Sequence, residues 1–239
     1  MNLLLVHGVG GRPRSWRRVL EALDPALRRN VITADVRPER GQALEDIAQR
    51  LLDSHPGSHV IVGHSLGGML ALEAALIDAS RVLGLVLVSA IPGTNAGVSA
   101  HNEALAADIE DRGIRIVAAE FADRLFAPGR PARSPDLKTE FIDAMDESGT
   151  ASVCAALRAI AHWDAADSIP VLTCPADVIT GDAEPDIERQ RKLASLLQAP
   201  FEILDDTGHL APLEAPDRVA VAIKRLANRI APRSADQRP

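Results

Sequence analysis

Three times before Ile77 the chain runs from a short aliphatic segment through a turn into apolar residues at helical spacing. Asn2 to Val6 leads into His7-Gly8-Val9-Gly10-Gly11 and then Trp16, Val19, Leu20 and Leu23, which predicts a helix over Ser15 to Leu23. Val31 to Ala34 precedes a helical pattern from Ala43 to Leu52, and His59 to Val62 precedes Gly63-His64-Ser65-Leu66-Gly67-Gly68 and a helix through Ile77. Strands that alternate with helices cannot pair as hairpins. The sequence therefore predicts an α/β fold with a mostly parallel sheet covered by helices on both faces.

Val82 to Ser89 is almost wholly aliphatic, as befits a strand buried on both faces, and Ala176 to Thr180 and Phe201 to Leu204 bring the expected strand count to six. Between Gly97 and Ser168 the strand pattern gives way to helical stretches at His101 to Arg112, Ile114 to Phe126, Leu137 to Met145 and Ser152 to Trp163. The expected organisation is a core of residues 1–96 and 169–230, an all-helical cap at 97–168 and a disordered polar tail at 231–239. The last helix is expected over Glu214 to Ile230. Asp177 stands inside an otherwise apolar strand, where it needs a partner, a strand end or a bulge.

Of the 239 residues 46% are hydrophobic and 25% charged, and the net charge is -7. A negative balance without Lys and Arg clusters argues against nucleic acid as a partner. The aliphatic runs Leu3 to Val6 and Leu85 to Val88 are far shorter than the roughly 20 residues of a membrane span, so no membrane partner is expected. Cys154 and Cys174 have neither CxxC nor His-pair spacing, so no metal is expected, and they read as buried thiols of a reducing, cytoplasmic compartment.

Gly63-His64-Ser65-Leu66-Gly67 fits G-x-S-x-G, in which small residues let a serine sit on a sharp strand-to-helix turn. Both flanks carry the required context, an apolar run before and a helix after. His209 lies on the loop after the sixth strand, where an imidazole can face the crevice at the strands' carboxyl ends. An acid must orient that imidazole, and Asp182, Glu184 and Asp186 all stand in the loop after Thr180. His7 is expected to brace the glycine turn and His162 is a weaker candidate for substrate contact.

From His7-Gly8 with Gly11 and Trp16, through Gly63 to Gly68, to Cys174-Pro175, Gly181 to Pro185 and Gly208-His209 with Pro212-Leu213-Glu214, the chain resembles the α/β-hydrolase superfamily in its esterase and meta-cleavage-hydrolase-like branch. The resemblance implies that the acid stands three residues after the glycine, which selects Glu184 and leaves Asp182 as its rival. It also implies an oxyanion hole built from the backbone N–H groups of Val9 and Leu66. The chain departs from the family where Asp35 to Gly41 runs directly towards a helix, and in opening on the oxyanion strand without an antiparallel hairpin. Val31 to Ala34 should then be an exposed edge strand, covered by charge or by a partner such as a second copy in a homodimer.

The function expected is a serine hydrolase that cleaves a small, largely apolar carboxylic ester or lactone through an acyl-enzyme on Ser65, with no cofactor. Leu66, Trp16, Phe126, Met145 and Trp163 are expected to wall the pocket. The same residues also suit carbon–carbon bond hydrolysis, thioester cleavage or lyase chemistry, and a non-catalytic binding protein on this fold is a further alternative.

Overall fold

The computed structural model describes residues 1–231, so the tail expected at 231–239 lies outside the described residues from position 232 onward. Six strands, β1 (Asn2–Val6), β2 (Val31–Ala34), β3 (His59–His64), β4 (Val82–Val88), β5 (Ala176–Gly181) and β6 (Phe201–Leu204), form one sheet. Its order is β2-β1-β3-β4-β5-β6 and every neighbouring pair is parallel. The helices are α1 (Arg17–Ala22), α2 (Pro25–Arg28), α3 (Leu44–Ser54), α4 (Leu66–Ile77), α5 (Ala96–Arg112), α6 (Ile114–Leu125), α7 (Arg130–Arg133), α8 (Pro135–Ser148), α9 (Thr150–Ala161), α10 (Ile187–Leu196), α11 (Ala211–Glu214) and α12 (Pro216–Ile230).

The two-residue period of a strand explains why both faces of the sheet are apolar. Leu3 and Leu5, Val60 and Val62, and Val86 and Val88 point to one side, where they pack with Val19 of α1 and with Val219, Ile223 and Leu226 of α12. Their neighbours Leu4 and Val6, Ile61, and Leu85 and Leu87 point to the other side, against α3 and α4. Each such side chain, fully buried, contributes about 1.5–3 kcal/mol. A third apolar cluster belongs to the insertion between β4 and β5, where Ile109, Val117, Phe126, Phe141, Met145 and Leu157 pack together with Leu210 and Leu213.

β2 is an edge strand of the sheet, with Ile32 39% exposed. Asp177, fully buried on β5, meets Arg225 Nε of α12 at 3.0 Å and Arg229 Nη1 at 2.8 Å, which answers the carboxylate in the apolar strand. Two helix expectations need correction. The first helix starts as a 3-10 turn, Pro13–Trp16, before α1, and the last is broken into α11 and α12 at Ala215. Ala215 precedes Pro216, and the proline ring keeps it out of helical conformation, at φ -135 and ψ 52. Among the described residues no helix is long and apolar enough to cross a membrane.

β1 is followed in sequence by β2 on one side, while β3 lies against its other side. The connections leaving β1 and β3 therefore diverge and open a crevice at the carboxyl end of the sheet. The glycine turn after Val6 and the serine turn after His64 both stand there.

Candidate active site

Ser65 occupies φ 52 and ψ -116 between β3 and α4, a conformation that L residues adopt at a cost of about 1–3 kcal/mol. Close packing enforces it. A Cβ on Gly63 would stand 2.2 Å from Gly67 O, and one on Gly67 would stand 2.0 Å from Val6 O, so only glycine fits either side of the turn. The Ser65 N–H donates to Val88 O at 2.8 Å, which pins the turn to β4.

The loop after β6 brings His209 to this serine. Ser65 Oγ–H donates to His209 Nε2 at 2.9 Å, and His209 Nδ1–H donates to the two Glu184 carboxylate oxygens at 3.0 and 2.9 Å. An ionised carboxylate only accepts, so Glu184 fixes the proton on Nδ1 and leaves Nε2 free as a base. Burial opposes ionisation of Glu184, but the charge and hydrogen bond of His209 hold its carboxyl below the ordinary value of 4.5. Burial likewise disfavours the charged imidazole, and the Glu184 charge and hydrogen bond outweigh it, so the His209 pKa lies above 6.5.

Asp182 has other work. Its carboxylate accepts the backbone N–H groups of Asp206 at 3.2 Å and Thr207 at 3.1 Å, tying the loop after β5 to the loop that carries His209. It makes no hydrogen bond to His209 itself, and the sequence spacing that left it as a rival acid could not show this. Asp186 pairs instead with Arg189 at 3.5 Å.

His209 is held through its own backbone as well. Its N–H donates to Leu125 O at 2.7 Å, and His64 Nε2–H donates to its carbonyl at 2.8 Å. Burial, with the nearby His209 charge, pushes the His64 pKa down to about 3, so His64 is a neutral donor at every working pH. Glu214 accepts the N–H of Gly208 and that of Ala127, both at 2.9 Å, and so joins the histidine loop to the insertion. The His64 contact and the Ala127 contact of Glu214 join segments far apart along the chain, which sequence spacing does not show, whereas Gly208 lies only six residues before Glu214. Burial raises the Glu214 pKa above 4.5.

The glycine turn is braced as its spacing suggests. His7 Nδ1–H donates to Gly8 O at 2.9 Å while Nε2 accepts Val36 N–H at 3.1 Å, which fixes a neutral ring. Burial lowers the His7 pKa in keeping with that tautomer. The N–H groups of Val9 and Leu66 meet no acceptor among the described residues. Val9 and Ser65 both line one cavity of about 390 Å³, which lies between the sheet and the insertion.

Met69, Ile91, Leu105, Phe121 and Met145 give that cavity an apolar wall. Of the five wall candidates from the sequence, Met145 lines the cavity and the other four do not. Trp16 is buried in the core with Leu3, Leu5 and Val19 and borders a separate small cavity of about 40 Å³ behind the glycine turn. Phe126 turns into the helical cluster and meets the ring of Phe141 edge to face at 6.4 Å. Trp163 lies outside the cavity, its indole N–H donating to Glu73 at 2.5 Å. His162, 76% exposed in its side chain, stands 3.3 Å from Glu103 and does not line the cavity either. Leu66 is buried in the core and contributes no wall.

Comparison with known proteins agrees in fold. The model of a family described as the alpha/beta hydrolase family matches residues 3–222. The pimeloyl-[acyl-carrier protein] methyl ester esterase of Vibrio vulnificus is 32% identical over 193 residues, which is 73% of this chain and 72% of that protein. A thermophilic esterase from Thermogutta terrifontis, solved with malate bound, superposes with a TM-score of 0.85 at 25% identity over 97% of this chain and 91% of its own. The enol-lactonase of Burkholderia xenovorans shares the fold, with a TM-score of 0.84 at 19% identity over 95% and 91% of the two chains.

Proposed function

The chain belongs to the alpha/beta hydrolase family and is a carboxylic ester hydrolase, and from that premise we propose that Ser65 is its nucleophile, His209 its general base and acid, and Glu184 the acid that orients His209. Ser65 Oγ attacks the ester carbonyl while its proton passes to His209 Nε2. The imidazolium so formed is stabilised by the Glu184 carboxylate. The N–H groups of Val9 and Leu66 receive the negative charge on the carbonyl oxygen, a stabilisation worth about 2.7–4 kcal/mol for each donor. His209 then gives its proton to the departing alkoxide, and the alcohol leaves an acyl group on Ser65 Oγ. A water molecule, deprotonated by the same Nε2, attacks that acyl carbonyl, and the carboxylic acid departs as Ser65 recovers its proton.

The observation that carries this reading is the unbroken hydrogen-bonded series from Ser65 through His209 to Glu184, with a strained serine at its head. A bare binding protein has no use for that strain. The cavity lies within the roughly 300–1,000 Å³ of small-ligand sites, and its apolar wall suits an acyl chain better than a sugar. The helical insertion acts as the cap over it. The substrate is an ester of a small alcohol with an acyl chain of medium length, in keeping with the methyl ester in the name of the Vibrio vulnificus relative.

The test is hydrolysis of p-nitrophenyl butyrate and of methyl esters of graded chain length by the wild type and Ser65→Ala. Turnover that disappears in the variant supports the reading. Carbon–carbon bond or thioester cleavage without ester turnover would replace it with another reaction of the same residues.

A further inference from the structure

The insertion touches the glycine turn through the end of α8, and the proposed reaction makes no use of that contact. Ser148, the last residue of α8, shares its single Oγ–H between Gly10 O at 3.1 Å and Gly11 O at 3.0 Å. Serine hydroxyls in helices commonly bond a carbonyl of their own preceding turn, whereas this one reaches across to the turn after β1. Met145, one turn earlier on α8, fills the space where a Cβ on Gly10 would stand, and Gly10 itself holds a φ of 66. Glu147 pairs with Arg14 at 2.8 Å and Glu140 with Arg18 at 3.3 Å, so α8 is also tied to the segment that follows the turn.

The consequence runs along the backbone. In a planar trans peptide the C=O and the N–H point in opposite directions, so holding one aims the other. Ser148 holds Gly10 O, and the N–H of the same peptide group, that of Gly11, donates to Gly8 O at 3.0 Å. Gly8 O belongs in turn to the peptide group whose N–H is that of Val9, which meets no acceptor among the described residues. One hydroxyl and two peptide groups thus form a hydrogen-bonded series that starts on the insertion and ends at the free Val9 N–H, and the members of such a series polarise one another. The other donor to Gly8 O, His7 Nδ1–H at 2.9 Å, comes from the end of β1. Ser148 is the insertion's hold on the same series.

We propose that Ser148 is a positioning residue for the ester hydrolysis, which aims the Val9 N–H at the oxygen of the reacting carbonyl through the Gly10–Gly11 and Gly8–Val9 peptide groups. The insertion then does more than cover the cavity, because α8 must be seated on the turn for the donor to be in place. A donor aimed before reaction acts most strongly on charge that develops in the transition state, so its loss falls on kcat rather than on KM. This rests on the roles proposed above for Ser65 and Val9, and it adds what holds Val9 in its role.

The experiment compares the wild type with Ser148→Ala and with the pair Ser148→Thr and Ser148→Val, which match in shape and differ in the hydroxyl. Each is measured in hydrolysis of p-nitrophenyl butyrate and in inhibition by an alkyl trifluoromethyl ketone and the matching methyl ketone. Ser65 Oγ adds to the trifluoromethyl ketone carbonyl as its proton passes to His209, which sets an oxyanion against the Val9 N–H, whereas the methyl ketone stays trigonal. Ser148→Ala and Ser148→Val should lower kcat about tenfold, the effect of about one hydrogen bond, with KM within about twofold. Inhibition by the trifluoromethyl ketone should weaken by the same factor, that by the methyl ketone should not, and Ser148→Thr should restore both kcat and inhibition. Glu147→Gln, which loosens the same helix end and keeps the hydroxyl, should stay within about twofold of the wild type. Thermal melting of each variant separates loss of fold from loss of positioning. An unchanged kcat in Ser148→Ala and Ser148→Val, equal weakening of both ketones, or an equal loss in Glu147→Gln would overturn the positioning role and leave the serine reading intact. A wild type that binds both ketones alike and keeps its turnover in Ser65→Ala would defeat the serine reading, and this inference with it.

Discussion

Glu184→Gln separates the charge of the acid from its shape. Both carboxylate oxygens lie within 3.0 Å of His209 Nδ1, so the charge centres of an imidazolium and this carboxylate are about 4 Å apart. At an effective dielectric constant near 20 such a pair interacts by about 4 kcal/mol, and at 1.36 kcal/mol per decade its loss slows the step that charges His209 by about a thousandfold. A glutamine that turns its NH₂ towards Nδ1 would also reverse the tautomer and deepen the loss. The assay is kcat/KM against pH with p-nitrophenyl butyrate for the wild type, Glu184→Gln and Asp182→Asn. His209 must be neutral to act as base, so wild-type activity should rise with pH about a midpoint above 6.5, and Glu184→Gln should move that midpoint to lower pH while cutting the plateau. Asp182→Asn, which weakens only the two backbone contacts between loops, should keep activity within about tenfold. A thousandfold loss in Asp182→Asn beside a minor loss in Glu184→Gln would refute the reasoning.

The pair also gives stability a pH window. His209, with its pKa raised by Glu184, contributes stability that is complete below 6.5 and lost as pH rises through its folded pKa, while Glu184, with its pKa lowered, contributes above 4.5 and loses it as pH falls through its own. The difference in urea unfolding free energy between wild type and Glu184→Gln should therefore be largest between those limits and shrink on both sides; a difference that keeps growing to pH 9 would contradict it. Gly67→Ala forces a methyl to 2.0 Å from Val6 O, and destabilisation of at least about 3 kcal/mol by chemical denaturation is expected. Asp177→Ala leaves Arg225 and Arg229, each about a third exposed, without their buried partner, for an expected loss of roughly 2–3 kcal/mol in the same assay.

Much of the fold is legible because a parallel sheet buried on both faces demands aliphatic runs, and Leu3 to Val6, His59 to Val62 and Leu85 to Val88 supply them. The serine turn is legible for a steric reason, since Gly63 and Gly67 are where a Cβ would strike backbone. The walls of the cavity are not. Trp16, Phe126 and Trp163 are large apolar residues whose facing is decided by which neighbour packs against each helix, and they found the core, Phe141 and Glu73 instead. Local spacing cannot express that choice. The roles of His64 and of Glu214 towards the insertion are illegible for a similar reason, because His64 meets the His209 carbonyl and Glu214 the Ala127 N–H across 145 and 87 residues of chain. The break before Pro216 was available in the sequence, and the strong apolar period of Val219, Ile223 and Leu226 concealed it.

The most direct test of the central claim is intact-mass spectrometry of the protein quenched within one turnover of p-nitrophenyl butyrate, followed by peptide mapping. The account predicts a butyryl adduct on the peptide that carries Ser65, absent from Ser65→Ala and longer lived in His209→Ala if it forms there at all. Ester turnover with no adduct on Ser65, or an adduct on another residue that persists in Ser65→Ala, would contradict it.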